Sequence, residues 1–473
     1  MTDYPYADRF PVTRGLPDEG RPRAEILAEL EVMATEEDAF WETGRVSGTM
    51  YSGDHEHYDF LKEAFGRFAH VNALQRDLCP SATRFEGEII AMVLDLMHAD
   101  AITDTEPAGL ITSGGTGSIL HAILAYREHA AQTRGITRPN LVKPETAHPA
   151  FDKACHLFGI ENRTVPVDPE TTTVAVETMA AAIDDNTIAL VGSAGNYPYG
   201  TVDPIAELGA LAVEHGIGLH VDGCLGGFIL PFGEELGYDV PVFDFRVPGV
   251  TTISADTHKY GYAFKGTSAV VFRDKALRNS QYFHIVSWSG GKYMSPGMDG
   301  SRSGGLLAAT WASMVHLGRA GYRAYAEEIF RAAGAMMDAV RSHPELRIMG
   351  SPTFCFSFTS DAFDIYHVAD FMRPRGWRFN GQQYPNAIHM AVTRPQTRPG
   401  VVDAFAADLA EAVAYAHEQS AAGHSAESGA IYGGVAGGLT TEVEDMIVTF
   451  MDAMLDNFQS LPPAPAVTPS VTE

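Results

Sequence analysis

Apolar positions along the chain fall first at helical spacing and then in short uninterrupted runs, and that change of period outlines the fold. Ile26, Leu27, Leu30 and Met33 predict a helix over 24–41, after an irregular arm at 1–22. The glycine-rich stretch GRVSGTMYSG, 44–53, reads as loop, and amphipathic helices follow near 56–69 and 84–98. From about 108 to 275, helical segments alternate with apolar runs at 188–192, 218–221, 251–254 and 268–272. Helices alternating with fully apolar strands predict a mostly parallel sheet covered on both faces. Beyond a long helix over 305–340, strand-like runs at 354–358 and 387–392 lie between helices near 363–374 and 401–418. This second pattern predicts a smaller α+β part. The Gly, Ala and Ser-rich segment 419–440 reads as a mobile loop, a last helix covers 441–458, and the Pro-rich tail reads as disordered. The breaks suggest an arm and helix at 1–60, a large α/β domain at 61–318, a small α+β domain at 319–458 and a tail at 459–473.

Composition narrows the function. Among 473 residues, 33 are basic and 60 acidic, a formal charge of −27, which argues against nucleic acid or an anionic membrane as partner. An anionic substrate would need local cations, because the overall field repels it. Cys79, Cys155, Cys224 and Cys355 are scattered without metal-ligand spacing, so reduced thiols in a cytoplasmic protein are expected, and no metal. Neither a signal peptide nor a run of ~18 apolar residues is present.

Four short motifs carry chemistry. In Ser254-Ala-Asp-Thr-His-Lys259, an apolar strand delivers a lysine to the edge where α/β folds bind ligands. A lysine amine condenses with aldehydes, of which pyridoxal phosphate (PLP) is the common biological case. A second strand ends at Asp222, and a carboxylate there could hold the proton on a pyridine nitrogen, although strand-end aspartates also cap helices. The run Thr112-Ser-Gly-Gly115-Thr116-Gly117-Ser118 opens a helix and could cradle a phosphate on its backbone N–H groups. His148 begins another helix, where its flat ring could stack on a planar cofactor. Each signal alone is weak; four in this order along one α/β pattern point to a PLP site.

The stretch VTTISADTHKYGYAFKGTSAVVFRD, 250–274, resembles the sphingosine-1-phosphate lyase family of the PLP-dependent group II decarboxylases. GRVSGTMY at 44–51, SGGTGSILHAILAY at 113–126, AHPAFDKACHLFG at 147–159, YPYGTVDP at 197–204, HVDGCLGGF at 220–228, FDFRVPG at 243–249 and GSRSGG at 300–305 extend the likeness over about 24–395. The resemblance implies the fold-type-I transferase-like architecture and a homodimer with shared active sites. By position it implies Lys259 as the Schiff-base lysine, Asp222 at the pyridine nitrogen and His148 on the ring. Gly115, Thr116 and His258 would hold the cofactor phosphate, with Gly305 reaching it from a partner subunit. Asn72 would lie near the cofactor, Tyr51 and Lys265 would hold a substrate phosphate, and Tyr197 would stand beside the reacting carbons. Arg302 is a further candidate for binding an anion.

Three positions depart from the family pattern. Gln75 stands where a histidine helps bind the substrate phosphate, Gly117 replaces a glutamate, and Gly223 replaces an alanine. Eukaryotic members carry a membrane anchor before the catalytic region, and none is expected here. The implied reaction is retro-aldol cleavage of a phosphorylated sphingoid base to a long-chain aldehyde and phosphoethanolamine, with Tyr197, Lys259 and Lys265 as candidate proton carriers. An amino-acid decarboxylase, another aldolase-type enzyme or a non-catalytic PLP-fold protein are the alternatives.

Overall fold

The computed structural model describes residues 4–429, 433–434 and 440–462. Its elements run α1 Arg23–Trp41, α2 His55–Phe68, α3 Pro80–Leu96, β1 Ala108–Thr112, α4 Gly115–Arg134, β2 Asn140–Pro144, α5 Ala150–Phe158 and β3 Glu161–Val165. There follow α6 Val176–Ala181, β4 Thr187–Ser193, α7 Ile205–His215, β5 Gly218–Asp222, α8 Leu230–Glu235, β6 Val250–Ala255, β7 Ser268–Phe272 and α9 Lys275–Asn279. The C-terminal half adds β8 Phe283–Ile285, β9 Tyr293–Ser295, α10 Gly304–Arg341, β10 Leu346–Ile348, β11 Cys355–Ser360, α11 Tyr366–Met372, β12 Asn380–Gln382, β13 Ala387–Ala391, α12 Val401–Ala421 and α13 Thr441–Phe458.

Seven strands form one sheet in the order β1-β7-β6-β5-β4-β2-β3. Strands β4, β5, β6 and β7 are buried along nearly their whole length, which is why they read as continuous apolar runs. The sheet is parallel except at β7, which runs antiparallel to both β1 and β6. Strand β3 escapes the apolar pattern because it lies at the edge, with exposed and half-exposed positions over most of its length. A second, antiparallel sheet has the order β10-β11-β13-β12.

Helix starts follow local chemistry. Asp54 caps α2 by accepting from the His57 N–H, Ser303 caps α10 by accepting from the Leu306 N–H, and Pro80 opens α3. Helix α10 is kinked where Gly318 takes φ 54°.

By compactness the chain divides into two units: residues 43–433 make one, and 1–42 with 434–473 make the other. In the smaller unit, Trp41 is the buried residue of α1, and α13 buries none, leaving Met446, Phe450, Met451 and Phe458 exposed. The segment expected as a mobile loop is helical up to Ala421, and residues 430–432 and 435–439 lie outside the described set. So does most of the Pro-rich tail. Among the described residues no helix is long and apolar enough to cross a membrane.

Candidate active site

Because β7 opposes both β1 and β6, strand β1 runs with β6, β5, β4 and β2. Their carboxyl ends share one edge of the sheet, and the segments leaving that edge carry the Gly115 cradle, Lys259, Asp222, Tyr197 and His148.

Lys259 Nζ lies 2.9 Å from Asp256 Oδ2. Burial pulls the lysine pKa down, but Asp256, with Tyr51 and Cys224 behind it, outweighs burial and holds the amine above its ordinary range. The amine therefore waits as an ammonium and must lose a proton before attacking an aldehyde. Asp256 is itself held by a chain of hydroxyls. Thr112 Oγ1 and Ser118 Oγ are 2.7 Å apart, Ser118 and Ser268 are 2.8 Å apart, and Ser268 Oγ donates to Asp256 Oδ1 at 2.6 Å. This chain ties the cradle helix to the lysine's counter-ion.

Asp222 Oδ1 accepts from the Cys224 N–H at 3.0 Å and from Ser254 Oγ at 3.1 Å. Burial raises its pKa, yet His220, the Cys224 N–H and His148 together leave it below the usual carboxylate range. Burial pushes His220 itself down to about 4, so at neutral pH the hydrogen bonds from the Cys224 N–H and Ser254 Oγ carry that support. A charged carboxylate this well supported suits a pyridinium partner. His148 is exposed and accepts from the Ala150 N–H at 3.1 Å, leaving its ring face open.

The cradle is shaped for a close approach. A Cβ on Gly115 would fall 2.7 Å from Asp256 Oδ2 and 3.0 Å from Cys224 Sγ, so only glycine fits. Thr116 is exposed at the same helix start. His258 Nδ1 lies 2.5 Å from the Thr267 carbonyl, which it meets as a donor, and burial lowers its pKa. A phosphate dianion would draw a proton onto Nε2. These residues fit PLP: a glycine-only helix start, a charged carboxylate, an open ring and an amine at one sheet edge.

Tyr51, Lys265 and Tyr197 belong to the same group. The Lys265 ammonium sits 4.7 Å from the centre of the Tyr51 ring and 3.5 Å from the His258 carbonyl. Though partly exposed, Lys265 is pulled down to about 8 by burial and then by the Lys259 charge. Burial pushes Tyr51 up to about 12 and also raises Tyr197.

Asn72, Gln75, Arg302 and Gly305 cluster around the loop before α10, which borders the cradle: Ser301, Arg302, Ser303 and Leu306 line one cavity with Thr112, Ser113 and Gly266. Asn72 Nδ2 donates to Ser301 Oγ at 2.9 Å, and its Oδ1 accepts from the Leu74 N–H at 3.0 Å. Gln75 is exposed. A Cβ on Gly305 would meet the Phe65 ring at 2.8 Å. Arg302, expected to bind an anionic ligand, is instead held by Glu86 through two contacts of 3.0 Å and by donation to the Ile111 carbonyl at 2.9 Å. Glu86 lies on the buried face of α3, and a charge there demands a counter-ion.

Three residues in or beside the site carried no role in the sequence reading. Asp256 lay inside the lysine motif and could have been noticed. Asn380 and His389 lie in strands of the second sheet with no motif around them.

The model of the pyridoxal-dependent decarboxylase conserved domain matches residues 16–358. The chain is 41% identical to sphingosine-1-phosphate lyase of Drosophila melanogaster over 395 residues, covering 83% of this chain and 72% of that one. It is 42% identical to the Arabidopsis thaliana lyase over 439 residues, covering 90% and 78%. The structure of the Burkholderia pseudomallei K96243 sphingosine-1-phosphate lyase superposes with a TM-score of 0.90 at 54% identity, covering 97% of this chain and 100% of that one. Lactobacillus brevis glutamate decarboxylase shares the fold, with a TM-score of 0.74 at 21% identity. With this site on this sheet, the chain belongs to the PLP-dependent decarboxylase family and, within it, to the sphingosine-1-phosphate lyases.

Proposed function

We propose that this enzyme cleaves the C2–C3 bond of phosphorylated sphingoid bases, giving a long-chain aldehyde and phosphoethanolamine. The observation that carries this reading is the second cation, Lys265, beside Tyr51 and within the electrostatic reach of Lys259. Among the described residues it has no carboxylate partner, so its charge is available to a phosphate monoester.

When bound, PLP supplies the electron sink for carbon–carbon cleavage. Lys259 would carry it, Asp222 would hold the pyridine proton, His148 would cover the ring, and Gly115, Thr116 and His258 would take its phosphate. Tyr51 and Lys265 would orient the substrate phosphate, leaving Tyr197 beside the bond that breaks. Asn72, Gln75 and Gly305, carried around the loop before α10, would complete the site of a second subunit, as the resemblance implies for Gly305. Arg302 would support that loop through Glu86. Free cysteines agree with a reducing, cytoplasmic setting.

Purified enzyme incubated with sphingosine 1-phosphate should release hexadecenal and phosphoethanolamine in equal amounts. Absence of both, together with CO₂ release from tyrosine or glutamate, would reject the reading.

A further inference from the structure

Tyr197 is fixed from outside the cofactor sheet. It follows β4, but the residues holding it come from the second sheet. Asn380 lies opposite His389 across the β12–β13 ladder, and His389 lies opposite Ser357 across β13–β11, so the three share a face. Gln382 is two positions on from Asn380, on the same side. Asn380 Nδ2 donates to Tyr197 Oη at 2.6 Å. The His389 ring lies 4.9 Å from the Tyr197 ring at 35°. Ser357 Oγ and Gln382 Nε2 both donate to the Pro198 carbonyl. Gly200, at φ +74°, brings the turn so close to β11 that a Cβ would sit 2.0 Å from the Cys355 carbonyl oxygen.

Rigid attachment alone would not need so many polar groups. Asn380 Oδ1, Gln382 Oε1 and both ring nitrogens of His389 are buried without a partner. Each such orphan calls for an explanation, and a role in catalysis is one. The direction of the Asn380 bond decides what Tyr197 can do. A phenol oxygen that accepts from an amide must point its own hydrogen elsewhere.

We propose that Asn380 is the positioning residue that makes Tyr197 a proton donor to the substrate, by occupying the phenol oxygen and turning its hydrogen into the pocket. This deepens the lyase reading and rests on it. After the C2–C3 bond has parted, the Tyr197 O–H bond breaks and a C–H bond forms at C2. The phenolate recovers a proton from solvent, which has received the one lost by the C3 hydroxyl. Although Tyr197 is 41% exposed, its partial burial raises the phenol pKa, which agrees with a proton-donor role.

N380D tests the direction of the bond, because a carboxylate has the same shape but only accepts. At neutral pH its kcat should fall at least about tenfold, the lower end of what a positioned proton donor contributes, with KM altered less than about twofold. Relative to the native enzyme, kcat should recover as pH falls toward about 4, where the introduced carboxyl gains a proton and can donate. The cofactor absorbance band should not move, and the melting temperature separates the cost of a partly buried carboxylate from the loss of kcat. Should N380D fold poorly, N380S, which can still donate, should retain more kcat than N380A. Y197F should lose kcat, and N380D should then cost nothing further in that background. A flat N380D-to-native ratio across pH, or additive losses in the double variant, overturns the assignment. Full turnover by Y197F also overturns it and places the fault in the role given to Tyr197. A native enzyme inert toward sphingosine 1-phosphate places the fault in the lyase reading itself.

Discussion

The two sheets furnish the site in opposite ways. At the end of the seven-stranded sheet proposed to hold the cofactor, the charges are already answered: Lys259 by Asp256, Asp256 by Ser268, Asp222 by Ser254 and the Cys224 N–H. On the four-stranded sheet, Asn380, Gln382 and His389 leave four buried polar atoms unpaired. A group that binds once and stays can be met by a preformed, self-satisfied frame, which costs little reorganisation. A substrate that comes and goes is better met by groups whose hydrogen bonds are still unspent. On the proposed reading, the cofactor end is built for permanence and the Tyr197 end for exchange.

The largest test of that contrast is Lys259→Ala. Turnover should drop on the order of 10⁴-fold or more, as when a covalent catalyst is removed, and the visible cofactor band should disappear. The substitution also strands Asp256, whose side chain is 1% exposed, without its cation. The cofactor-free variant should lose about 2 kcal/mol of stability, below the range for a fully buried pair because the lysine keeps some exposure. Unchanged denaturant midpoints for variant and native apoprotein would show that the frame is not self-satisfied in the way described.

Asp222→Asn comes next. The amide keeps the shape and can still accept from the Cys224 N–H, but it cannot hold a pyridinium proton by charge. The expected kcat loss is on the order of 10²-fold, with the cofactor retained and its band shifted. Full activity would remove Asp222 from the chemistry.

The same contrast explains how much of the molecule could be read in advance. Buried parallel strands announce themselves as apolar runs, and the segments that follow them carry Lys259, Asp222 and the cradle, so their shared place at one sheet edge was legible. The second sheet was legible only as strands. His389 sits in Asn-Ala-Ile-His-Met-Ala, where a histidine reads as one polar interruption of a core strand, and Asn380 sits in a three-residue strand without periodicity. Their meaning depends on Tyr197, which is 183 positions from Asn380 in sequence. The pairing of Arg302 was hidden for a related reason: nothing near it in sequence announced Glu86, which is buried on α3 and meets the guanidinium. Local pattern finds elements and their ends; contacts between distant elements decide which polar groups remain free.

Lys265→Ala should act on binding more than on chemistry. Loss of a charged hydrogen bond contributing about 1.5–3 kcal/mol predicts a KM increase of about tenfold or more for the phosphorylated substrate, and little for an unphosphorylated analogue. The native enzyme should show a related pH effect. The ammonium titrates near about 8, so it is charged below that pH and neutral above it. The ratio kcat/KM, which reports the free enzyme, should therefore fall as pH rises through about 8, and the variant should lose that inflection. Equal losses for both substrates would mean that Lys265 does not meet the phosphate.

Gln75→His should have the smallest effect and is the most informative about the second subunit. Gln75 is exposed, and among the described residues its side chain makes no recorded hydrogen bond, so the substitution should leave stability within about 0.5 kcal/mol. If the loop that Asn72 ties down faces a partner's phosphate site, an imidazole there adds a donor, and a cation once protonated. KM for the phosphorylated substrate should then fall a few-fold, most clearly below about pH 6.5, where histidine carries charge. The gain should vanish for unphosphorylated analogues and in the Lys265→Ala background if both groups act on one phosphate. A gain that persists without Lys265 would give the imidazole a separate anion to bind. No gain at any pH would leave the loop before α10 as a packing element of its own subunit, and the contrast between a permanent and an exchanging end would then have to be complete within a single chain.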